Sequence, residues 1–136
     1  MTHEQQLAAV AFARSQKGVR WEHQGRKPGV CLDCVGLLVC AGRSLGLSIA
    51  DWIDYSEHVI PQEMLRFVGM SCERAAAPEA AAVVLFWIRR REEPTHAGLC
   101  TGDGYFVHAK RDGVVSESDL AEPFWAKRVH SFWRYT

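Results

Sequence analysis

Net charge is absent from this chain: across 136 residues, 16 Lys and Arg are matched by 16 Asp and Glu. Nucleic-acid binders ordinarily show a basic excess or stripe, so the balance argues against a polyanion partner. Long apolar runs are missing too. None approaches the roughly 20 residues that cross a bilayer, which argues against a membrane-embedded chain. The opening Met1-Thr2-His3-Glu4-Gln5-Gln6 has neither a basic stretch nor an apolar core, so no signal peptide is expected. Internal repeats, low-complexity tracts and Gly/Pro-rich linkers are also absent, and the length suits one domain over residues 1–136. What is present is ordinary globular material, 48% hydrophobic and 24% charged, which excludes a disordered tail.

The five cysteines, Cys31, Cys34, Cys40, Cys72 and Cys100, cannot all pair within one chain. Without a secretion signal, free thiols are the expectation. Residues 4–17 are rich in helix formers and stop at Gly18, and residues 18–32 read as a loop. An apolar run from Cys34 to Leu45 predicts a second helix, and Pro61 opens a short third one through Phe67. After Gly69 the texture changes. Ala82–Arg89, His96–Thr101, Gly104–Ala109, Val114–Glu117 and Val129–Tyr135 read as strands, and Thr101-Gly102-Asp103-Gly104 is a hairpin turn. Helices first and an antiparallel sheet afterwards predict an α+β fold. The aromatics of these strands, Trp87, Phe132 and Trp133 among them, are expected in the core, and Arg89–Glu93 is expected to be a solvated strand end.

Three residues could act together: Cys34, His96 and His108. Cys34 falls at the junction of a loop and an apolar helix, where the positive end of the helix dipole favours an anion. Its pKa is expected to fall from about 8.5 toward roughly 3.5–7.5 if a cationic partner assists. Gly36 would leave room for a substrate backbone, and first-turn amides could point at an oxyanion. A helix-start cysteine alone is more often packing. The two histidines alter that balance. They frame the predicted turn, which would set them opposite or diagonal across a ladder, with Cβ atoms about 4.5–8 Å apart. A nucleophilic cysteine needs an imidazole, and the imidazole needs an orienting partner; Cys34, His96 and His108 fill the three roles.

A metal reading stands beside this one. Cys31-Leu32-Asp33-Cys34 is a Cys-x-x-Cys pair that could complete a zinc site with His96 and His108. The histidines are twelve residues apart, however, and neither the zinc-deaminase order nor the strand–helix–strand setting of a redox pair is present. No metal or cofactor is expected. A disulfide between Cys31 and Cys34 is a weaker alternative.

Asp33-Cys34-Val35-Gly36-Leu37-Leu38 resembles the Asp-Cys-Ser-Gly-Phe/Leu motif of the NlpC/P60 cell-wall cysteine peptidases. The stretch His96-Ala97-Gly98-Leu99-Cys100-Thr101-Gly102-Asp103-Gly104-Tyr105-Phe106-Val107-His108-Ala109 is similar to their His-Val-Gly-Ile-Tyr-x-Gly-x-Gly-x-x-Ile-His-Ala block. Trp21-Glu22-His23-Gln24-Gly25 looks most like the branch found in phage tails and gene-transfer agents, where Tyr-Arg-His-Gln-Gly is usual. The resemblance implies a papain-like α+β fold and hydrolysis of peptidoglycan stem peptides between γ-D-glutamate and a diamino acid. It makes Cys34 the nucleophile, His96 the base and then acid, and His108 the orienting residue. Asp33, Val35 and Gly36 then fall beside the substrate, and Trp21 takes the place of a tyrosine credited with helping the oxyanion site. Val35 replaces the usual serine. The same resemblance implies peptidoglycan peptides, and through the tail branch phage tail proteins, as partners. With no signal peptide expected, delivery to the wall would be on a virion tail, through a secretion machine or after lysis, and the tail route follows only from the Trp21–Gly25 resemblance. An inactive tail component of the same fold, and a papain-like amidase or acyltransferase, are the alternatives.

Overall fold

The computed structural model describes all residues, 1–136. Helix α1, His3–Ser15, starts at a reciprocal cap: the Gln5 amide donates to the Thr2 hydroxyl at 3.1 Å and the Thr2 amide to the Gln5 side chain at 2.8 Å. Three two-residue strands follow, β1 (Arg20–Trp21), β2 (Arg26–Lys27) and β3 (Cys31–Leu32), in a small sheet of order β1-β3-β2. Helices α2 (Cys34–Ser44) and α3 (Pro61–Ser71) come next. The remainder is β4 (Cys72–Ala75), β5 (Val83–Trp87), β6 (Pro94–Cys100), β7 (Tyr105–Ala109), β8 (Val115–Asp119), the single-turn α4 (Pro123–Ala126) and β9 (Val129–Tyr135). The main sheet runs β4-β9-β5-β6-β7-β8 with every pairing antiparallel. No helix is long and apolar enough to cross a membrane.

The α+β expectation holds, and the differences have local causes. Strands β1 to β3 lie inside the expected loop, because two residues are too few to show an alternating pattern. Strand β4 was hidden by its charged Cys-Glu-Arg-Ala sequence, typical of an edge strand. Helix α3 runs four residues past Phe67, and α4 is a single turn with Pro123 in its first turn.

Alternation along the strands divides the core in two. Val83, Leu85, Ala97, Leu99, Val107 and Ala109 face the helices and pack with Ala9, Ala13, Leu37, Leu38 and Ala41. Val84, Phe86, Cys100 and Phe106 form the other face, covered by Trp125 and Phe132. The Tyr135 hydroxyl donates to the Leu38 carbonyl at 2.7 Å, tying the last strand to α2.

One irregularity positions the site. The β6–β7 ladder contains only Leu99↔Val107 and Cys100↔Phe106, whereas β6 pairs with β5 as far as His96 and Pro94. The first half of β6 therefore leaves β7, and α2 packs across both strands.

Close backbone approach fixes where α2 starts. A Cβ on Gly36 would lie 1.9 Å from the Gly25 carbonyl oxygen, whereas one on Gly69, late in α3, would meet nothing within 4 Å. Gly36→Ala is expected to lose about 3 kcal/mol or more, because backbone must move. Gly69→Ala should gain up to about 1 kcal/mol from helix propensity. Urea denaturation of the two variants measures both.

Candidate active site

A groove of about 540 Å³ is lined by Cys34 at the start of α2, His96 of β6, His108 of β7, Trp21 of β1 and Trp125 of α4. Arg89, Arg90, Lys110 and Arg111 also line it, as do Glu57 and Glu93.

Cys34 is held there by its neighbour. Asp33 is the N-cap of α2, in extended conformation at φ −105°, and accepts the Gly36 amide at 2.7 Å. The same carboxylate accepts the Gln24 amide at 2.8 Å, Arg26 Nη1 at 2.9 Å and the Tyr55 hydroxyl. Arg26 in turn donates to the Tyr55 hydroxyl at 3.0 Å and the Trp52 carbonyl at 2.8 Å. Asp33 is only 3% exposed, so this is a buried charge with its hydrogen bonds satisfied by the scaffold. The cap takes the Gly36 amide and leaves the amides of the first residues of α2 outside it, the Val35 amide facing the Cys34 sulfur.

The histidines meet as expected. In the β6–β7 register His108 falls across from Gly98, so His96 is its diagonal neighbour. His96 Nε2 lies 2.8 Å from His108 Nδ1, and His108 Nε2 lies 2.9 Å from the Ser118 hydroxyl. Gly98 makes the pairing possible, since a Cβ there would sit 2.8 Å from the Phe106 ring and 3.3 Å from His108 Cβ. Trp125 stacks on His96 at 5.6 Å between ring centroids and meets His108 edge-on at 5.0 Å. With Nε2 of His96 engaged by His108, Nδ1 is the nitrogen left to take a proton.

The expected acidic thiol is corrected by burial. Cys34 is 8% exposed, and desolvation, reinforced by the Asp33 charge, pushes its thiol up to about 12. The Ala97 and Val35 amides favour the anion but do not offset this. Burial draws His96 down to about 4; His108 falls to about 2 through burial first, then the charges of His96 and Lys110. The Arg26 charge also favours the anion without offsetting burial, and no imidazolium stands beside the sulfur, so the resting pair is a neutral thiol and a neutral imidazole.

Trp21 and Asp33 join the catalytic candidates on the groove, with Arg111 stacked over the Trp21 ring at 5.4 Å. Val35 and Gly36 do not: Val35 is 1% exposed in the core, and the space at Gly36 is taken by the Gly25 carbonyl, not by a substrate. Cys31 faces Glu22, with Arg20 and Lys27 nearby, and stands apart from the groove; no three His, Cys, Asp or Glu side chains converge to hold a metal ion. The Arg89–Glu93 segment is largely exposed, as expected, and Arg89, Arg90 and Glu93 also border the groove, while Trp125 both packs on the second core and covers the histidines. Sequence reasoning missed Arg26, Tyr55 and Ser118. Ser118 carried a faint signal, being a small polar residue at strand spacing beyond His108; Tyr55 carried none, because it lies outside any helix or strand.

A thiol at the start of a helix, set against an antiparallel sheet that presents a hydrogen-bonded histidine pair, is the architecture of a papain-like α+β protein. The NlpC/P60 family model matches residues 18–134, and the chain belongs to that family. It is 28% identical over 129 residues to the probable endopeptidase YafL of Escherichia coli K12, covering 90% of this chain and 48% of YafL. A Staphylococcus aureus protein described as similar to lipoprotein, NLP/P60 family, superposes with a TM-score of 0.75 at 16% identity, covering 99% of this chain and 42% of that one. RipD of Mycobacterium tuberculosis, described as a non-catalytic NlpC/p60 domain protein adapted to peptidoglycan binding, superposes at 0.62 and 16% identity, covering 99% of each chain. The chain thus spans about half the length of YafL.

Two expectations follow from the neutral pair. The difference in thiolate absorbance between the wild type and Cys34→Ala should stay flat through the ordinary thiol range near pH 8.5 and rise only well above it; a step near neutrality would restore the ion pair. Unfolded histidines bind protons near pH 6.5, whereas native His96 and His108 resist to about 4 and about 2. Below pH 6.5 the unfolded chain therefore holds more protons, and stability falls as pH drops through that window. Urea midpoints should decline from about pH 7 to about pH 5, and His108→Gln should make the decline shallower.

Proposed function

We propose that this chain is a cysteine endopeptidase acting on the peptide stems of peptidoglycan, at the bond between γ-D-glutamate and a diamino acid. The observation that carries the reading is the meeting of Cys34 with the hydrogen-bonded His96–His108 pair on one groove. The relative YafL supports the reaction class, and the motif resemblance supports the bond. Arg89, Arg90, Lys110 and Arg111 suit a peptide that carries free carboxylates.

His96 Nδ1 accepts the Cys34 proton as the sulfur attacks the amide carbonyl, so thiolate forms only in the step that consumes it. First-turn amides of α2 take up the developing negative charge. His96, now cationic, donates its proton to the departing amine; His108 holds the ring and Trp125 covers it from water. A water molecule, deprotonated by His96, then hydrolyses the thioester. The loop Trp21–Gly25 supports delivery on a virion tail, which an immunoblot of purified particles tests.

A second reading, a wall-binding member of the fold without activity, is favoured by the high thiol pKa and by the change of tyrosine to Trp21. Mass spectrometry of purified muropeptides separates the two. The expected result is cleavage by the wild type, loss of at least about 1,000-fold in Cys34→Ala and His96→Ala, and near-wild-type cleavage by Cys31→Ala. Retention of muropeptides without cleavage would favour the binding reading, and transfer of the acyl group to another amine would mark a transferase.

A further inference from the structure

We infer that Ser118 is a positioning residue of the site: by accepting from His108 Nε2–H, its hydroxyl holds the tautomer of His108 that lets His96 act as a base. The inference rests on the proposed thiol chemistry for its consequence, but not for its geometry. His108 is 0% exposed, and its two ring nitrogens have one partner each, His96 Nε2 at 2.8 Å and Ser118 Oγ at 2.9 Å. One proton on a neutral ring can serve only one of them.

The two arrangements differ in what reaches the sulfur. If His108 carries its proton on Nε2, that N–H donates to Ser118, and the bare Nδ1 accepts from His96 Nε2–H. His96 Nδ1 is then bare and able to take the thiol proton. If His108 carries its proton on Nδ1, it donates to His96 Nε2, the His96 proton moves to Nδ1, and the site presents an N–H to the sulfur where a base is needed. A hydroxyl at position 118 can accept from Nε2–H in the first arrangement or donate to a bare Nε2 in the second, and only the first leaves His96 a base. Without the hydroxyl, the buried Nε2–H would be an unsatisfied donor, which a buried ring avoids by moving the proton to Nδ1.

The strand is built to hold that hydroxyl still. Ser118 pairs across from Phe106 in the β7–β8 ladder, and His108 pairs with Ser116, so Ser118 reaches His108 along the diagonal. Its neighbour Glu117 is gripped from α1 by Arg14, with Nε to Oε1 and Nη2 to Oε2 both at 3.1 Å, and by Lys17 at 3.2 Å. Phe106 and Trp125 pack on the His108 ring at 4.5 and 5.0 Å between centroids, bracing it in this orientation.

Histidine-labelled full-length protein examined by nitrogen-15 NMR reads the tautomers directly, alongside muropeptide kinetics. In the wild type, His108 is expected as the Nε2–H form and His96 with a bare Nδ1. Ser118→Ala should shift His108 toward Nδ1–H and lower kcat about 10- to 100-fold with KM nearly unchanged. Ser118→Thr, which keeps the hydroxyl, should restore both. The inference is overturned if wild-type His108 is protonated on Nδ1, or if Ser118→Ala keeps the Nε2–H form and the wild-type kcat. If Ser118→Ala does not fold, the wild-type and Ser118→Thr spectra still decide it. A wild type that cleaves no muropeptide sinks the peptidase reading, and the tautomer spectra then judge the serine independently.

Discussion

Everything at the groove depends on one buried carboxylate. Asp33 caps α2, fixes the loop before it through the Gln24 amide, and neutralises Arg26, which with Tyr55 holds the segment before α3 in place. Breaking such a buried pair by removing one partner typically costs about 3–5 kcal/mol, because the other charge is stranded. The cost here would fall on the position of a single sulfur atom. Asp33 touches the groove, yet its hydrogen bonds all go to the scaffold, and its charge acts on Cys34 only by opposing the thiolate.

The second constraint is desolvation. Packing of Trp125, Phe86 and Phe106 buries His108 fully and His96 in part, and this desolvation favours the neutral form of both rings. The same burial keeps Cys34 protonated, so the proposed reaction replaces a preformed ion pair with proton transfer during attack. Because neither ring is charged at rest, ring orientation becomes a question of tautomers, and a hydroxyl can matter as much as a carboxylate would. In the proposed reaction, a low-dielectric site would also strengthen the interactions of charges that appear in the transition state.

Much of this was legible in the linear order of residues. The helix boundary at Cys34 could be read from a loop giving way to an apolar run. The β6–β7 hairpin could be read from Thr101–Gly104, and the pairing of His96 with His108 followed from their distances to that turn. These are short-range features governed by periodicity and turn chemistry. The two-residue strands, the charged edge strand β4 and the single turn of α4 could not be read that way, since each is stabilised by neighbours distant in sequence.

The amino-acid order by itself determined the α+β class, the family and the candidate nucleophile and histidine pair, because local pattern and motif spacing carry that information. Only the folded chain decided that Asp33 serves the scaffold, that Gly36 makes room for Gly25 and not for a substrate, that Arg89 and Arg90 reach the groove, and that Tyr55 and Ser118 belong to the site. It also decided the sign of the thiol's shift. Helix position favours the anion, but desolvation opposes it more strongly, and desolvation is set by what packs around an atom, which no window of sequence contains.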